Sequence, residues 1–174
     1  MRWERCASMI VTLREITRDN WIQCVQLHVT SGQESFVASN AISLAQSRYE
    51  PEWQPYAVYG DDQMVGFIMY GKEPREQQYW VLRPMVDAAY QGHGYGRAAM
   101  ELAIQRMKAL PDCHGIAISD EAENEGARRL YASLGFRETG EIIEAHLSHL
   151  ISRAMDAGSR RGFRGYLPAG GRGG

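Results

Sequence analysis

The sequence predicts an α/β domain in which a mixed sheet is flanked by helices, and three observations carry that expectation. Apolar residues recur at strand spacing in some segments and at helical spacing in others. The apolar runs 56–59 and 64–70 are separated by the turn Gly60-Asp61-Asp62-Gln63, the chemistry of an antiparallel hairpin. A long strand over 78–86 then leads through a glycine-rich loop into a helix, as sheet-and-helix folds require.

Taken in chain order, each element has a local reason. Residues 11–16 form the first strand, and Thr17 caps a helix that places Trp21, Ile22, Val25, His28 and Val29 on one side. A second short helix covers about 39–46, with Ala41, Ile42, Leu44 and Ala45 as its apolar positions. The hairpin and the strand over 78–86 follow. Ala98, Ala99, Leu102, Ala103 and Met107 set a helix over 94–110, which Pro111-Asp112 stops. Ile116-Ala117-Ile118 is a short buried strand. Asn124 opens a helix carrying Ala127, Leu130, Tyr131 and Leu134, and Gly135 is placed to end it in a left-handed conformation. Residues 136–143 read as a further strand. Beyond it, Leu147, Leu150, Ile151, Ala154 and Met155 have helical spacing, and 158–174 hold seven of the 18 glycines and four arginines, which predicts a flexible tail. The domain is expected over 9–143, with 1–8 as an N-terminal extension and 144–174 as an atypical helix and Gly/Arg-rich tail.

Composition excludes several function classes. A chain of 174 residues, 44% hydrophobic, suits one domain with a core of its own. Its 19 Lys plus Arg against 21 Asp plus Glu leave a formal net charge of −2, so no basic field draws it to nucleic acid. Cys6, Cys24 and Cys113 are an odd number without a CxxC pair, which argues against a disulfide framework and points to a reducing, cytoplasmic setting. The apolar run 9–11 is too short for a secretory signal, and no stretch approaches the about 18 apolar residues of a membrane span. No metal site is expected, since His146-x-x-His149 brings only two ligands.

The most informative segment is Gln91-Gly92-His93-Gly94-Tyr95-Gly96-Arg97, between a strand and a helix. Glycines let the backbone turn tightly, so successive N–H groups and the helix N-terminus can converge on a pyrophosphate. A dinucleotide fingerprint requires a third glycine where Arg97 stands, and a P-loop requires Gly-Lys-Ser/Thr, so neither nucleotide fold is favoured. A ligand-free glycine turn is the alternative.

Gln91-x-x-Gly94-x-Gly96, together with Asn124-x-x-Ala127-x-x-Leu130-Tyr131-x-x-x-Gly135-Phe136, resembles the paired acetyl-CoA signatures of the GNAT N-acetyltransferases. The resemblance runs from about Ile10 to Ile143. Leu27-His28-Val29, Gln33, Ser35-Phe36 and Ser43-Leu44-Ala45 are similar to the diamine/spermidine branch. It implies a central, mostly antiparallel, splayed sheet, acetyl-CoA as cosubstrate, and a possible homodimer. Met85 and Val86 would hold the pantetheine arm, and the pyrophosphate would lie on Gln91, Gly92, His93, Gly94, Tyr95, Gly96 and Arg97. Asn124, with Ala127 in the same motif, would meet the pantetheine, and Tyr131 would face the thioester sulfur. A plain helix cap at Asn124 and a core aromatic at Tyr131 are the structural alternatives. The family completes its sheet with two strands after the Phe136 position, whereas Glu144 to Ala157 has helical periodicity where the second should be.

The chemistry sets requirements. A primary amine has a pKa near that of lysine, ~10.4, so it arrives as an unreactive ammonium and must lose a proton. The Val86 N–H could hold the developing oxyanion, and Tyr131 could protonate the departing thiolate as general acid. Asp87 or Glu34 could relay the amine proton through water. Direct attack, without a covalent enzyme intermediate, is the simpler route. Glu34, Glu50 and Glu52 are candidates for the remaining ammonium groups of a polyamine, with Tyr49, Trp53 and Tyr56 as channel walls. The expected function is acetyl transfer from acetyl-CoA to a small-molecule primary amine, a diamine or polyamine such as spermidine or spermine. The alternatives are another acceptor (protein, amino acid or aminoglycoside) or an inactive acyl-CoA-binding module.

Overall fold

Eight consecutive residues of the strand Gln63–Glu73 are buried, so both of its faces are covered and it lies inside the sheet. The computed structural model describes residues 9–34, 36–118, 124–137 and 167–168. In chain order they form β1 (Val11–Glu15), α1 (Trp21–Gln26), α2 (Asn40–Tyr49), β2 (Trp53–Gly60), β3 (Gln63–Glu73), β4 (Gln78–Val86), α3 (Tyr95–Lys108), β5 (Gly115–Ile118), α4 (Glu125–Ser133) and β6 (Leu167–Pro168). The strands lie in sequential order; β1 to β4 pair antiparallel, β4 and β5 pair parallel, and β5 and β6 pair antiparallel. The expected mixed, mostly antiparallel sheet is what forms.

Strand alternation divides the core into two layers. Val58, Ile68 and Val81 pack against Met100, Ala103 and Met107 of α3 and Tyr131 of α4. Ala57, Phe67, Met69 and Met85 face the other way, toward Cys24 of α1 and Leu44 of α2. Burial pushes the Cys24 thiol up to about 11, so it is a neutral core group.

Local chemistry accounts for most boundaries. Asp61, with φ 53, starts the two-residue connection between β2 and β3, a conformation aspartate tolerates. Ser39 caps α2 by accepting from the Ile42 N–H. Gly135, with φ 94, ends α4 in a Schellman arrangement: its N–H donates to Ala132 C=O and the Phe136 N–H to Tyr131 C=O, each at 3.0 Å.

Three expectations are corrected. The first helix is shorter than 17–29: Asn20, not Thr17, occupies the cap position, and the chain turns extended at Leu27. The cause is tertiary, because the Asp87 carboxylate takes the His28 N–H at 3.0 Å. Strands β2 and β3 are longer than their apolar runs, since pairing carries the polar residues Gln54, Gln63 and Lys72 with it. Within the expected flexible tail, Leu167 and Pro168 pair with Ile116 and Gly115, adding a strand to the β5 edge. Residues 138–143 of the further strand, the helical stretch over 147–155 and the extension 1–8 lie outside the described residues.

Candidate active site

The site begins where the described pairing of two neighbouring strands ends. Pairing between β4 and β5 runs from Tyr79↔Ile116 to Val81↔Ile118, and β4 continues five residues further to Val86. On its other side β4 remains paired with β3, but with one extra residue: Phe67 faces Met85 while Met69 faces Leu82. Arg83 and Pro84 form this bulge. Arg83 has φ 54, a left-handed conformation costing roughly 1–3 kcal/mol for a side-chain-bearing residue. Proline lacks the N–H that a regular ladder would use, which suits it to a bulge. Gly66 is required opposite, because a Cβ there would collide with the Met85 carbonyl.

The bulge aims the last residues of β4. Asp87 N–H donates to Val65 C=O at 2.9 Å across the β3 side. Successive residues alternate the edge they address, so the Val86 N–H and C=O point away from β3, to the edge where no described strand residue pairs with this end of β4. Gln91 Nε2 donates to that Val86 carbonyl at 3.0 Å.

Beyond β4 the glycine loop builds the second wall. Gly92 and Gly94 have φ 79 and 86, which only glycine adopts without strain. Gly94 occupies the N-cap of α3 and supplies no side-chain cap, leaving the first-turn N–H groups to meet an outside acceptor. A Cβ on Gly96 would lie 3.5 Å from Val86 Cγ2 and 3.9 Å from Leu130 Cδ2, ordinary packing distances that place the start of α3 beside both β4 and α4. Asn124 caps α4 by accepting from the Ala127 N–H at 3.2 Å, and its residue also lines the cavity, so cap and wall coincide. Tyr131, 5% exposed, stands edge-on to Phe136 with ring centroids 6.1 Å apart.

These elements enclose a cavity of about 350 Å³, a size suited to a small ligand or part of a larger one. Of the expected cosubstrate residues, Met85, Val86, Gln91, Gly92, Gly94, Tyr95, Gly96, Asn124 and Ala127 line it, as does Tyr131. His93 and Arg97 do not. Arg97 instead binds Glu101 at 3.3 Å and the Ser133 hydroxyl, while exposed His93 turns Nδ1 toward the Gln91 carbonyl at 2.8 Å.

The expected acceptor residues are not brought together. Glu34 is exposed, one residue from the wall residue Gln33. Glu50, at the end of α2, accepts from Gln46 Nε2 at 2.8 Å, and neither it nor Glu52 lines the cavity. The channel-wall expectation is corrected outright. Trp53 is buried in the α1/α2 layer, Tyr56 stacks on Tyr70 at 5.0 Å in the opposite layer, and Tyr49 is 85% exposed. Asp87 is a clamp: its two oxygens accept the His28 and Ala89 N–H groups, each at 3.0 Å. Wall residues Val37 and Phe67 carried no sequence signal beyond ordinary apolar spacing; Val29, Gln33 and Phe36 stood in the segments that resemble the diamine/spermidine branch.

Among the described residues no helix is long and apolar enough to cross a membrane, and no three His, Cys, Asp or Glu side chains converge as a metal site.

The bulged end of β4 and the uncapped glycine turn line one cavity of a mixed, mostly antiparallel sheet fold, and the sequence comparison gives that fold its family: the Acetyltransferase (GNAT) family profile matches residues 13–136. The chain belongs to the GNAT acetyltransferase family, whose members use acetyl-CoA, and is an N-acyltransferase. Within that family it is similar to the spermine/spermidine N(1)-acetyltransferase of Bacillus subtilis (strain 168), at 31% identity over 140 residues, covering 77% of this chain and 92% of that protein. Two solved structures share the fold. The spermidine N-acetyltransferase of Vibrio cholerae in complex with CoA and spermine superposes with a TM-score of 0.68 at 16% identity, covering 91% of this chain and 95% of that one. An acetyltransferase of Bacillus subtilis in complex with CoA gives 0.64 at 20% identity, covering 92% and 98%.

Proposed function

We propose that this enzyme transfers the acetyl group of acetyl-CoA to a primary amine of a polyamine such as spermidine or spermine. The observation that carries the reading is the joining, in one cavity, of the open edge of β4 with the uncapped N-terminus of α3. The relation to the spermine/spermidine acetyltransferase supports the acceptor class.

The residues present suit acetyl-CoA. Backbone N–H groups after Gly92 and Gly94 offer neutral donors and a positive helix end to a pyrophosphate, and side chains at either glycine would be strained. Acetyl-CoA, when bound, supplies an activated acetyl thioester. The chain's own groups do the rest. Val86 presents its N–H along the open edge to an amide-bearing arm, with Met85 and Asn124 lining the same cavity. The Val86 N–H donates to the acetyl carbonyl oxygen as negative charge builds there. The Tyr131 hydroxyl gives its proton to the leaving sulfur. Asp87 is occupied by backbone donors, so water passing exposed Glu34 carries the ammonium proton away. The amine attacks directly, and its need to be neutral makes the rate rise with pH below the amine pKa, ~10.

A second reading keeps the cosubstrate and changes the acceptor. The described lining residues Val29, Phe36, Val37 and Phe67 are apolar, and no carboxylate lines the described wall, which favours an amine with an apolar body. Steady-state CoA release with putrescine, spermidine, spermine, lysine, an aminoglycoside and an aromatic monoamine decides between them. Selective turnover of polyamines supports the first reading. Selective turnover of the monoamine overturns it in favour of the second.

A further inference from the structure

The segment between α1 and α2 is stitched onto the passage from β4 to α3. His28 N–H donates to Asp87 Oδ2 at 3.0 Å, and Ala88 N–H donates to the His28 carbonyl at 2.8 Å. A third contact is made by side chains: Gln91 Nε2 donates to Gln33 Oε1 at 2.7 Å. This one reaches the site, because the same Nε2 donates to the Val86 carbonyl at 3.0 Å.

The carbonyl fixes both amides. It can only accept, so Gln91 must present its NH2 group, and Gln33 must in turn present its oxygen. The Thr30 hydroxyl donates to the same Oε1 at 3.1 Å, which holds the Gln33 amide from a second direction. In a continuous sheet an N–H from β5 would satisfy the Val86 carbonyl. Among the described residues the pairing of β4 with β5 stops at Val81↔Ile118, and the Gln91 amide supplies the Val86 carbonyl with its donor. A strand end paired on one side is held weakly unless something replaces the lost partner.

We propose that Gln33 is a positioning residue for acetyl transfer: through Gln91 it holds the Val86 peptide units so that the Val86 N–H points into the cavity. The proposal rests on the acetyl-transfer reading above. It makes the acceptor-side segment and the glycine loop parts of one hydrogen-bonded unit, Thr30, Gln33, Gln91 and Val86, although 58 residues separate the two glutamines.

The test compares Gln33→Leu with Gln33→Glu in the full chain. Leucine removes the acceptor, whereas the glutamate carboxylate still accepts from Gln91 and Thr30. Gln33→Leu is expected to lower kcat roughly tenfold, with CoA affinity by calorimetry and amine KM each within about threefold of the parent. It should also move the carbonyl 13C resonance of Val86, read by NMR on the CoA-bound protein. Gln33→Glu should bring both kcat and that resonance back toward the parent. An unchanged kcat or an unmoved Val86 resonance in Gln33→Leu overturns the proposal. So does a Gln33→Glu variant as impaired as Gln33→Leu, which would assign to the glutamine NH2 a direct contact with a ligand. If the parent protein transfers acetyl to no amine, the acetyl-transfer reading fails, while the Val86 resonance still decides whether Gln33 holds the peptide.

Discussion

The two halves of β4 obey different physics. From Tyr79 to Val81 the strand is paired on both edges, and Trp80 and Val81 are buried on opposite faces. From Leu82 to Val86 it keeps β3, no described residue of β5 pairs with it, and a bulge at Arg83-Pro84 precedes the Val86 peptide groups beside a cavity. The first half satisfies its backbone internally and so contributes stability. The second leaves the Val86 N–H without a strand partner among the described residues, which is what the proposed acetyl transfer needs. One residue more on β4 than on β3 separates the two roles.

The sharpest way to separate the halves is a substitution beside the open one. Tyr131→Phe keeps the ring against Phe136 and removes the hydroxyl. If that hydroxyl is the general acid, kcat should fall roughly 10²- to 10⁴-fold while acetyl-CoA affinity and melting temperature stay close to the parent. Parent-level turnover in this variant would remove Tyr131 from the chemistry and leave it as a wall residue.

The paired half should respond in the opposite manner. Ile116 is fully buried in β5, aligned with Tyr79 on one side and Leu167 on the other. Ile116→Ala deletes methyl and methylene groups from a closed core and should cost about 2–5 kcal/mol. Thermal melting should then fall by roughly 4–20 °C for a chain of this size, with CoA affinity of the folded fraction unchanged below the transition. A large loss of CoA affinity instead would mean that the two halves are coupled through β5.

The same contrast explains what could be read in the sequence. The ends of β4, the α3 cap at Gly94, the α4 cap at Asn124 and the stop at Gly135 are all local: each depends on a few neighbours and on one residue's conformational preference. The glycine loop was legible for that reason, whereas Tyr131 was picked out by the family motif that runs from Asn124 to Phe136. What escaped depends on distant partners. The early end of α1 is set by Asp87, fifty-nine residues from His28, and the anchoring of Val86 by a pair of glutamines with no periodic pattern. Glu50 and Glu52 carried the right charge, but they stand in the connection from α2 to β2 and neither lines the cavity. The pairing of Leu167-Pro168 with β5 was hidden because a two-residue strand in a glycine-rich stretch has no pattern of its own.

The smallest expected effect concerns the closed end of β4, where side chains pin the hairpin to the connection leaving α3. Asp112 accepts from Lys72 Nζ at 2.7 Å and from the Tyr79 hydroxyl at 2.9 Å. The hydrogen bonds from Lys72 and then Tyr79 hold the Asp112 carboxyl below its ordinary value. Burial first, and the bond to Asp112 second, push the Tyr79 phenol up to about 12. A lowered carboxyl pKa stabilises the fold above the unfolded value, ~3.9, and that contribution disappears as pH falls through the folded value. A raised phenol pKa works from the other side: its contribution is complete below the unfolded value, ~10, and is lost as pH rises toward the folded one. Melting temperature against pH should therefore show an acid limb below about pH 4 that Asp112→Asn makes shallower. The change should be slight, because the carboxylate is exposed and screened by solvent, and it should shrink further in high salt. CoA affinity at neutral pH should not move in this variant, since the cluster lies at the end of β4 remote from the bulge; a shift there would show that the paired half transmits strain to the open one.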